Sequence, residues 1–287
     1  MNSTAGRNRR TAFWFLAPSF IGFSVFYIIP FIAGGYHSLV SAPVNGKFVG
    51  LTNYIKLLKN PVFLNAAKNT LIFTGVSVPV IMIFSLALAM LLVKKIYMKK
   101  LFRTLFITPL VIPVASVVLV WQILFDTSGS VNYMLNEIGI QPVDWMGSNW
   151  ARLVVVIVYI WKNAGYNMIL FLSGLQNIPV EYYESAGIDG AGCFRKFTSI
   201  TCVYLTPTAF FVLIMSIINS FKVFRETWML AGDYPHDSIY MLQHYMNNMF
   251  SSLDYQKLTT AAYLMALLII VLVFCMFSVE QRIGNMS

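Results

Sequence analysis

The sequence predicts an all-α integral membrane protein with six transmembrane helices, both termini cytoplasmic, and a cytoplasmic helical loop between helices four and five. Composition is the first ground for this. Hydrophobic residues make up 58% of the chain and charged residues 11%, against roughly a quarter charged in soluble domains. The second ground is a set of six apolar runs, near 12–35, 70–93, 104–125, 151–175, 205–224 and 258–278. Each is long enough, at about 1.5 Å per residue, to cross a hydrocarbon core of about 30 Å. Strands are excluded, because an open sheet leaves unpaired backbone groups in lipid. The third ground is a charge-bearing island over 177–203, set between the fourth and fifth runs.

The first run follows Arg7, Arg9 and Arg10. It is too long for a signal-peptide core and lacks a small-residue cleavage pattern, so it reads as an uncleaved first span. The second and third runs are joined by a short link carrying Lys94, Lys95, Lys99, Lys100 and Arg103. The 126–150 segment holds Asp126, Glu137 and Asp144 and no Lys or Arg, while Arg195 and Lys196 lie in the island and Arg282 follows the last run. Positive charge gathers on the cytoplasmic side of spans, which places both ends, the 94–103 link and the island inside. Lys47, Lys56, Lys59 and Lys68 fall in the first external loop, but they are spread out and the dense 94–103 cluster outweighs them. Pro18, Pro30, Pro79, Pro109 and Pro113 are expected to bend their helices. The expected organisation is a cytoplasmic tail over 1–11, a six-helix domain over 12–278 and a second tail over 279–287, in a bacterial or archaeal-type plasma (inner) membrane.

The net charge of +9 is divided among segments separated by spans, so no single basic face forms for nucleic acid. Lipid is the expected surrounding. Cys193, Cys202 and Cys275 fall on the cytoplasmic side or in spans and imply no disulfide framework. His37, His236 and His244 are dispersed and external, expected to be interfacial or solvated, and no spacing offers a metal cage. There is no G-x-x-x-x-G-K-[ST] phosphate loop, no H-E-x-x-H and no G-x-S-x-G. The chain is therefore expected to be no enzyme and to bind no cofactor; if ATP drives it, the ATPase is a separate chain. A membrane-embedded enzyme finds no nucleophile–base constellation to support it.

Polar residues inside spans are costly to bury and usually face protein or water. Lys162 lies near the middle of the fourth span, too deep to snorkel easily, and is assigned a cavity-facing role. Asn163, Tyr166 and Asn167 follow it, and Gln122 and Asn219 lie in spans three and five. These side chains can hydrogen-bond sugar hydroxyls, and Trp161 or Trp121 can stack on a sugar's apolar face. For each the competing role is an interhelical hydrogen bond that only holds the bundle together. Lys222 and Arg225 read as cations snorkelling at the outer interface.

The island has a local logic of its own. Pro179 suits a first helical turn, and Glu181 and Glu184 complement the helix dipole there. A helix from about Pro179 to Gly187 places Val180, Tyr183 and Ala186/Gly187 on one face. Gly190 and Gly192 break it, supplying the positive φ of a tight turn. A second short helix from about Phe194 carries Arg195 and Lys196, with Phe194, Phe197 and Ile200 on its apolar side. Two short helices joined at glycine make a compact knob, suited to a groove on another protein.

Within this island, Glu184-Ser185-Ala186, then Gly190, then Ile200, flanked by Ile178-Pro179, Glu181-Tyr182-Tyr183 and Ile188-Asp189-Gly190-Ala191, resemble the cytoplasmic loop of permease subunits of binding-protein-dependent sugar ABC importers, the maltose and glycerol-phosphate type. The likeness continues along the chain. It includes Phe48-Val49-Gly50-Leu51-Thr52-Asn53-Tyr54, Pro61-Val62-Phe63 and Asn69-Thr70; then Pro109, Pro113, Trp121, Gly129 and Asn132. Trp161-Lys162-Asn163-Ala164-Gly165-Tyr166, Gly174-Leu175-Gln176 and Ser220-Phe221-Lys222-Val223-Phe224 complete it.

The resemblance implies that Glu184, Ser185, Ala186, Asp189, Gly190, Ala191 and Ile200 couple the chain to its ATPase. It also implies four kinds of partner: a second homologous permease, as a heterodimer; two ABC ATPase subunits carrying ATP and Mg; an extracytoplasmic sugar-binding protein; and a sugar or related polyol as cargo. Three departures stand out. Ser185 replaces the first alanine of the motif, Cys202-Val203 stands where Leu-Pro usually closes the loop, and Ala231-Gly232-Asp233-Tyr234-Pro235 replaces a Gly-Gly-Pro turn. The rival from another class is a stand-alone secondary transporter or channel for a small polar solute. It predicts inverted repeats or several deep ionisable relays, and the sequence offers only Lys162.

Overall fold

The computed structural model describes the backbone of residues 2–94 and 97–284 and the side chains of 12–94 and 97–281. Arg7, Arg9, Arg10, Lys95 and Arg282, used above for sidedness, thus lie outside the described side chains. Fourteen α-helices follow one another among the described residues. They are α1 Asn2–Phe23, α2 Ile29–Ser38, α3 Thr52–Leu57, α4 Pro61–Val93, α5 Lys99–Val111, α6 Val114–Phe125 and α7 Ser130–Glu137. Then come α8 Ala151–Gln176, α9 Val180–Ile188, α10 Cys193–Lys196, α11 Cys202–Phe221, α12 Phe224–Ala231, α13 Leu242–Ser251 and α14 Tyr255–Gly284. Among the described residues, six segments are long and apolar enough to cross a membrane: Ala12–Ser38, Pro61–Val93, Val114–Glu137, Ala151–Gln176, Cys193–Ala231 and Tyr255–Gln281.

The second span starts at Pro61 rather than near 70 and the third apolar segment is Val114–Glu137; the third and fifth runs differ further, for proline and π-turn reasons. The expected 104–125 run is two helices, because Ile112 is extended (ψ 135°) and Pro113 caps α6. Proline lacks the N–H that would continue α5 and pushes the preceding residue out of the helical region. The fifth span begins at Cys193 rather than near 205. A π-turn over Phe197–Thr201 joins α10 to α11 without a break, so the island's second helix is the start of the span and not a separate piece.

Two compact units are present. One comprises residues 1–60 and 248–266. In it the Phe31 and Tyr263 rings stack at 4.9 Å, and the Tyr263 hydroxyl donates to the Phe31 carbonyl. Asn53 closes the turn after α2, its amide donating to the carbonyls of Ser38 and Val40 at 2.9 Å each.

The other unit comprises 61–247 and 267–287. Its core lies where α4, α8 and α11 meet, around Phe73, Ile81, Val155 and Tyr159, and again around Met168, Phe171, Leu172, Leu205 and Val212. Small polar groups stitch these helices together, as is common where lipid removes the hydrophobic drive. Thr74 and Ser220 hydroxyls meet at 2.8 Å, the Tyr159 hydroxyl donates to the Ser216 carbonyl at 2.9 Å, and Ser85 donates to the Ala164 carbonyl at 3.1 Å. Asn69 and Thr70 hold the loop before α13. The Asn69 amide donates to the carbonyls of Asp237 and Tyr240, its oxygen accepts from Arg152 at 3.0 Å, and Thr70 Oγ1 accepts from the Leu242 N–H at 2.9 Å.

Candidate functional site

The 177–203 island is built on a glycine-capped helix. Pro179, extended at ψ 134°, starts α9, and Glu181 sits in the first turn. At the other end Gly190 has φ +74°. The Ala191 N–H donates to the Ala186 carbonyl at 2.8 Å and the Gly190 N–H to the Gly187 carbonyl at 3.1 Å. That pair of bonds is the Schellman motif, in which a left-handed residue just past the helix satisfies its last carbonyls. Gly192, by contrast, is extended at φ −70° and ψ 171°, and serves as the N-cap of α10. Only one of the two glycines therefore supplies a positive φ.

The loop is rooted on one side and open on the other. Tyr183 and Ile200 pack against the Met168–Leu172–Leu205 core, and the Tyr183 hydroxyl meets Thr201 Oγ1 at 2.9 Å. The Tyr182 and Tyr204 rings stack at 4.9 Å, a second tie between α9 and α11. Glu184, Ser185, Asp189 and Gly190 face outward, with Ala186 and Ala191 half-buried beneath them. The expectation that Phe194 joins the apolar contacts is corrected. It is 80% exposed, and Ile188 is 88% exposed; α10 turns Phe194 outward, and the π-turn that follows roots the segment through Ile200 instead.

A second constellation lies at mid-span. Lys162, near the middle of the 26-residue α8, forms an ion pair with Glu226 of α12. A cavity of about 100 Å³ beside them is lined by Tyr159, Lys162, Asn163, Asn219, Lys222 and Glu226. A larger one of about 390 Å³ is lined by Lys162, Lys222, Phe224, Arg225, Glu226 and Gln243. Sequence reasoning does not assign Glu226, Gln243, Lys222 or Arg225 to it. The first two carry no local signal, and the cations sit just past an apolar run where snorkelling is the ordinary reading.

The remaining polar span residues divide. Gln122 donates to the carbonyls of Met229 and Leu230 at 3.0 and 3.3 Å, capping α12. Asn163 donates to the Tyr159 carbonyl within α8, and Asn167, fully enclosed, to Ser216 Oγ at 2.8 Å. Trp161 meets Trp121 edge-on at 5.7 Å, and Trp121 stacks on Phe125. Tyr166 is half-buried on α8. Near the far end of α6 an open cleft of about 680 Å³ is lined by Gln122, Asp126, Ser128, Ser130, Asp144 and their neighbours. Its carboxylates are capped locally, Asp126 by the Ser128 N–H and hydroxyl, Asp144 by the Gly147 N–H.

The histidine expectation is corrected. His244 is wholly buried, edge-on to Phe224 at 4.9 Å, and accepts the Met241 N–H at Nδ1. Burial pushes it down to about 4, although the nearby Asp233 charge pulls the other way. The amphipathic α13 turns this ring inward. Among the described residues no group of three His, Cys, Asp or Glu side chains is placed to hold a metal ion.

Six helices able to cross a membrane, a capped loop between the fourth and fifth, and a charged cavity at mid-span define a multi-pass membrane permease component. Residues 81–284 match the family described as binding-protein-dependent transport system inner membrane component, and the chain belongs to that family. It is 33% identical over 276 residues to the lactose transport system permease protein of Rhizobium radiobacter, covering 92% of this chain and 91% of that one. It is 36% identical over 225 residues to the arabinooligosaccharides transport system permease protein of Bacillus subtilis (strain 168), covering 75% and 70%. Among solved structures, a bacterial ABC transporter involved in the import of the acidic polysaccharide alginate has a chain that superposes with a TM-score of 0.84 at 25% identity, covering 96% of each chain. The family and the all-helical, six-span fold thus agree with the sequence expectation.

Proposed function

We propose that this chain is one permease subunit of a sugar-importing ABC transporter. It pairs with a second, homologous permease to form the path for a saccharide or related polyol. Two separate ATPase subunits, holding ATP and Mg, drive the cycle, and an extracytoplasmic binding protein delivers the cargo. The saccharide assignment is supported by the relatives named for lactose and arabinooligosaccharide transport.

The observation that carries the coupling role is the Schellman-capped loop. Its outer face presents Glu184, Ser185, Asp189 and Gly190 with the bare side chains of Ile188 and Phe194. Exposed apolar groups rimmed by polar ones mark interaction sites, and two such anchors suit a groove on the ATPase. Ala186 and Ala191 give the turn its shape, and Ile200 ties it to the bundle. Motion of the loop is passed to α11 through the Tyr183–Thr201 and Tyr182–Tyr204 contacts, shifting the bundle between its two accessibilities. Lys162, Asn163 and Asn219 line the path at mid-span, with Trp161 and Tyr166 on the same helix. Gln122 and Asn167 hold the walls.

The test is co-purification of this chain with the ATPase, second permease and binding protein of its own host. A stable complex whose ATP hydrolysis rises with sugar-loaded binding protein is expected. Purification of the chain alone, with ATPase activity unchanged by its presence, would overturn the reading.

A further inference from the structure

The larger mid-span cavity, of about 390 Å³, carries more positive charge than a neutral cargo needs. Three cations line it, Lys162, Lys222 and Arg225, against one carboxylate, Glu226. Lys162 is neutralised by Glu226. Among the described residues, the two ion pairs within 4 Å are Lys162–Glu226 and Lys257–Asp254, so Lys222 and Arg225 have no carboxylate partner.

Placement makes this informative. The Lys162 pair fixes Glu226 at the middle of α8, roughly 16 Å along the helix from Ala151 at about 1.5 Å per residue. Arg225 is the neighbouring residue, and Lys222 stands at the end of α11 one turn earlier. Both residues lie within the apolar Cys193–Ala231 segment and are exposed where they line the cavity. Unpaired cations within such a segment persist where they face water or an anion. Lys222 also lines the smaller cavity of about 100 Å³ with Asn163 and Asn219, amides suited to hydroxyl groups. The site thus offers hydroxyl-binding amides on one side and two uncommitted cations on the other.

We propose that the solute carried through this path is an acidic saccharide or polyol, whose carboxylate, sulfonate or phosphate is bound by Lys222 and Arg225 while the Lys162–Glu226 pair holds the wall. This rests on the permease reading above. Arginine engages such oxyanions bidentately and lysine as a point charge.

The complete importer, with its own binding protein, is reconstituted in liposomes and given paired probes. One pair is a uronic-acid disaccharide and its carboxyl-reduced neutral counterpart; the other is glycerol 3-phosphate and glycerol. Preferred uptake of an acidic member is expected, and the pair that shows it separates a carboxylated sugar from a phosphate ester. In Lys222→Gln/Arg225→Gln the acidic-over-neutral preference should fall by about tenfold or more, as expected for losing charge-assisted hydrogen bonds. Lys222→Arg and Arg225→Lys should retain it. Should the double variant fail to co-purify with its partners, each single variant carries the same test. Preference for the neutral members, or an unchanged preference in the Gln variants, overturns the proposal and leaves the importer reading standing. Transport of no acidic probe overturns the proposal alone, whereas a chain that purifies without its partners and leaves ATPase activity unchanged overturns both.

Discussion

Lys162 on α8 is ion-paired with Glu226 on α12, sixty-four residues further along the chain, and both side chains are largely enclosed. The pair joins the fourth membrane-crossing helix to the short helix that closes the fifth. A buried pair contributes little net stability when both partners are present, but removing one leaves an uncompensated charge. Lys162→Met is therefore expected to lower the stability of the detergent-purified protein by about 3 kcal/mol. Lys162→Met/Glu226→Leu should recover most of that loss. Thermal unfolding of the single and double variants reads both numbers, and additive losses would show that the pair does not couple.

Gly190 at φ +74° makes a second prediction. An alanine there costs about 1 kcal/mol of left-handed strain, and a valine more. Gly190→Ala should loosen the Ala191–Ala186 and Gly190–Gly187 bonds, and Gly190→Val should reduce co-purification with the ATPase. Gly192 has an ordinary φ and open space where a Cβ would stand, so Gly192→Ala serves as the control and should behave as wild type. Hydrogen exchange over 180–192, with pull-down of the ATPase, distinguishes the two glycines.

What the sequence made legible was short in range. The α9–Gly190 turn is written within the few residues from Ala186 to Ala191, and its spacing alone located it. The capping role of Gly190 follows from positive φ, but nothing local separates it from Gly192, which is extended. Asn69 and Thr70 were visible only as part of a resemblance. Their partners, Asp237, Tyr240 and Leu242, lie about 170 residues away, beyond any periodicity. Glu226 was missed for the same reason: just past an apolar run, a lone acid reads as solvated until Lys162 is seen across from it. Proline signals were legible in kind but not in extent, since Pro109 remains inside α5 while Pro113 separates α5 from α6.

At Gly165 the backbone of α8 lies directly against that of α5. A Cβ there would lie 1.8 Å from the Phe106 carbonyl oxygen and 2.4 Å from its carbon, both backbone atoms that cannot rotate away. Gly165→Ala must push the two helices apart, at a cost of about 2 kcal/mol. Gly75 on α4 has nothing within 4 Å of its Cβ position, and Gly75→Ala should be neutral or slightly stabilising, by up to about 1 kcal/mol in helix propensity. Melting temperatures of the two variants in the same detergent should move in opposite directions or, at the least, only the first should fall.

His244 gives the pH dependence. Its ring is wholly buried, with Nδ1 accepting the Met241 N–H and Phe224 packed edge-on. A proton on Nδ1 would oppose that N–H, and burial penalises the charge further. The folded protein therefore holds the group down at about 4, from an ordinary value of 6.5, with Asp233 offsetting part of the shift. Since the unfolded chain takes up the proton first as pH falls, the stability from the neutral ring is fully present above about pH 6.5. It is lost progressively down to about pH 4, and is flat for this group below that. The shift corresponds to about 3 kcal/mol across the window. His244→Gln removes the titration, so its unfolding midpoint should vary much less between pH 6.5 and 4 than that of the parent. An equal slope in both proteins would assign the acid sensitivity to carboxylates elsewhere.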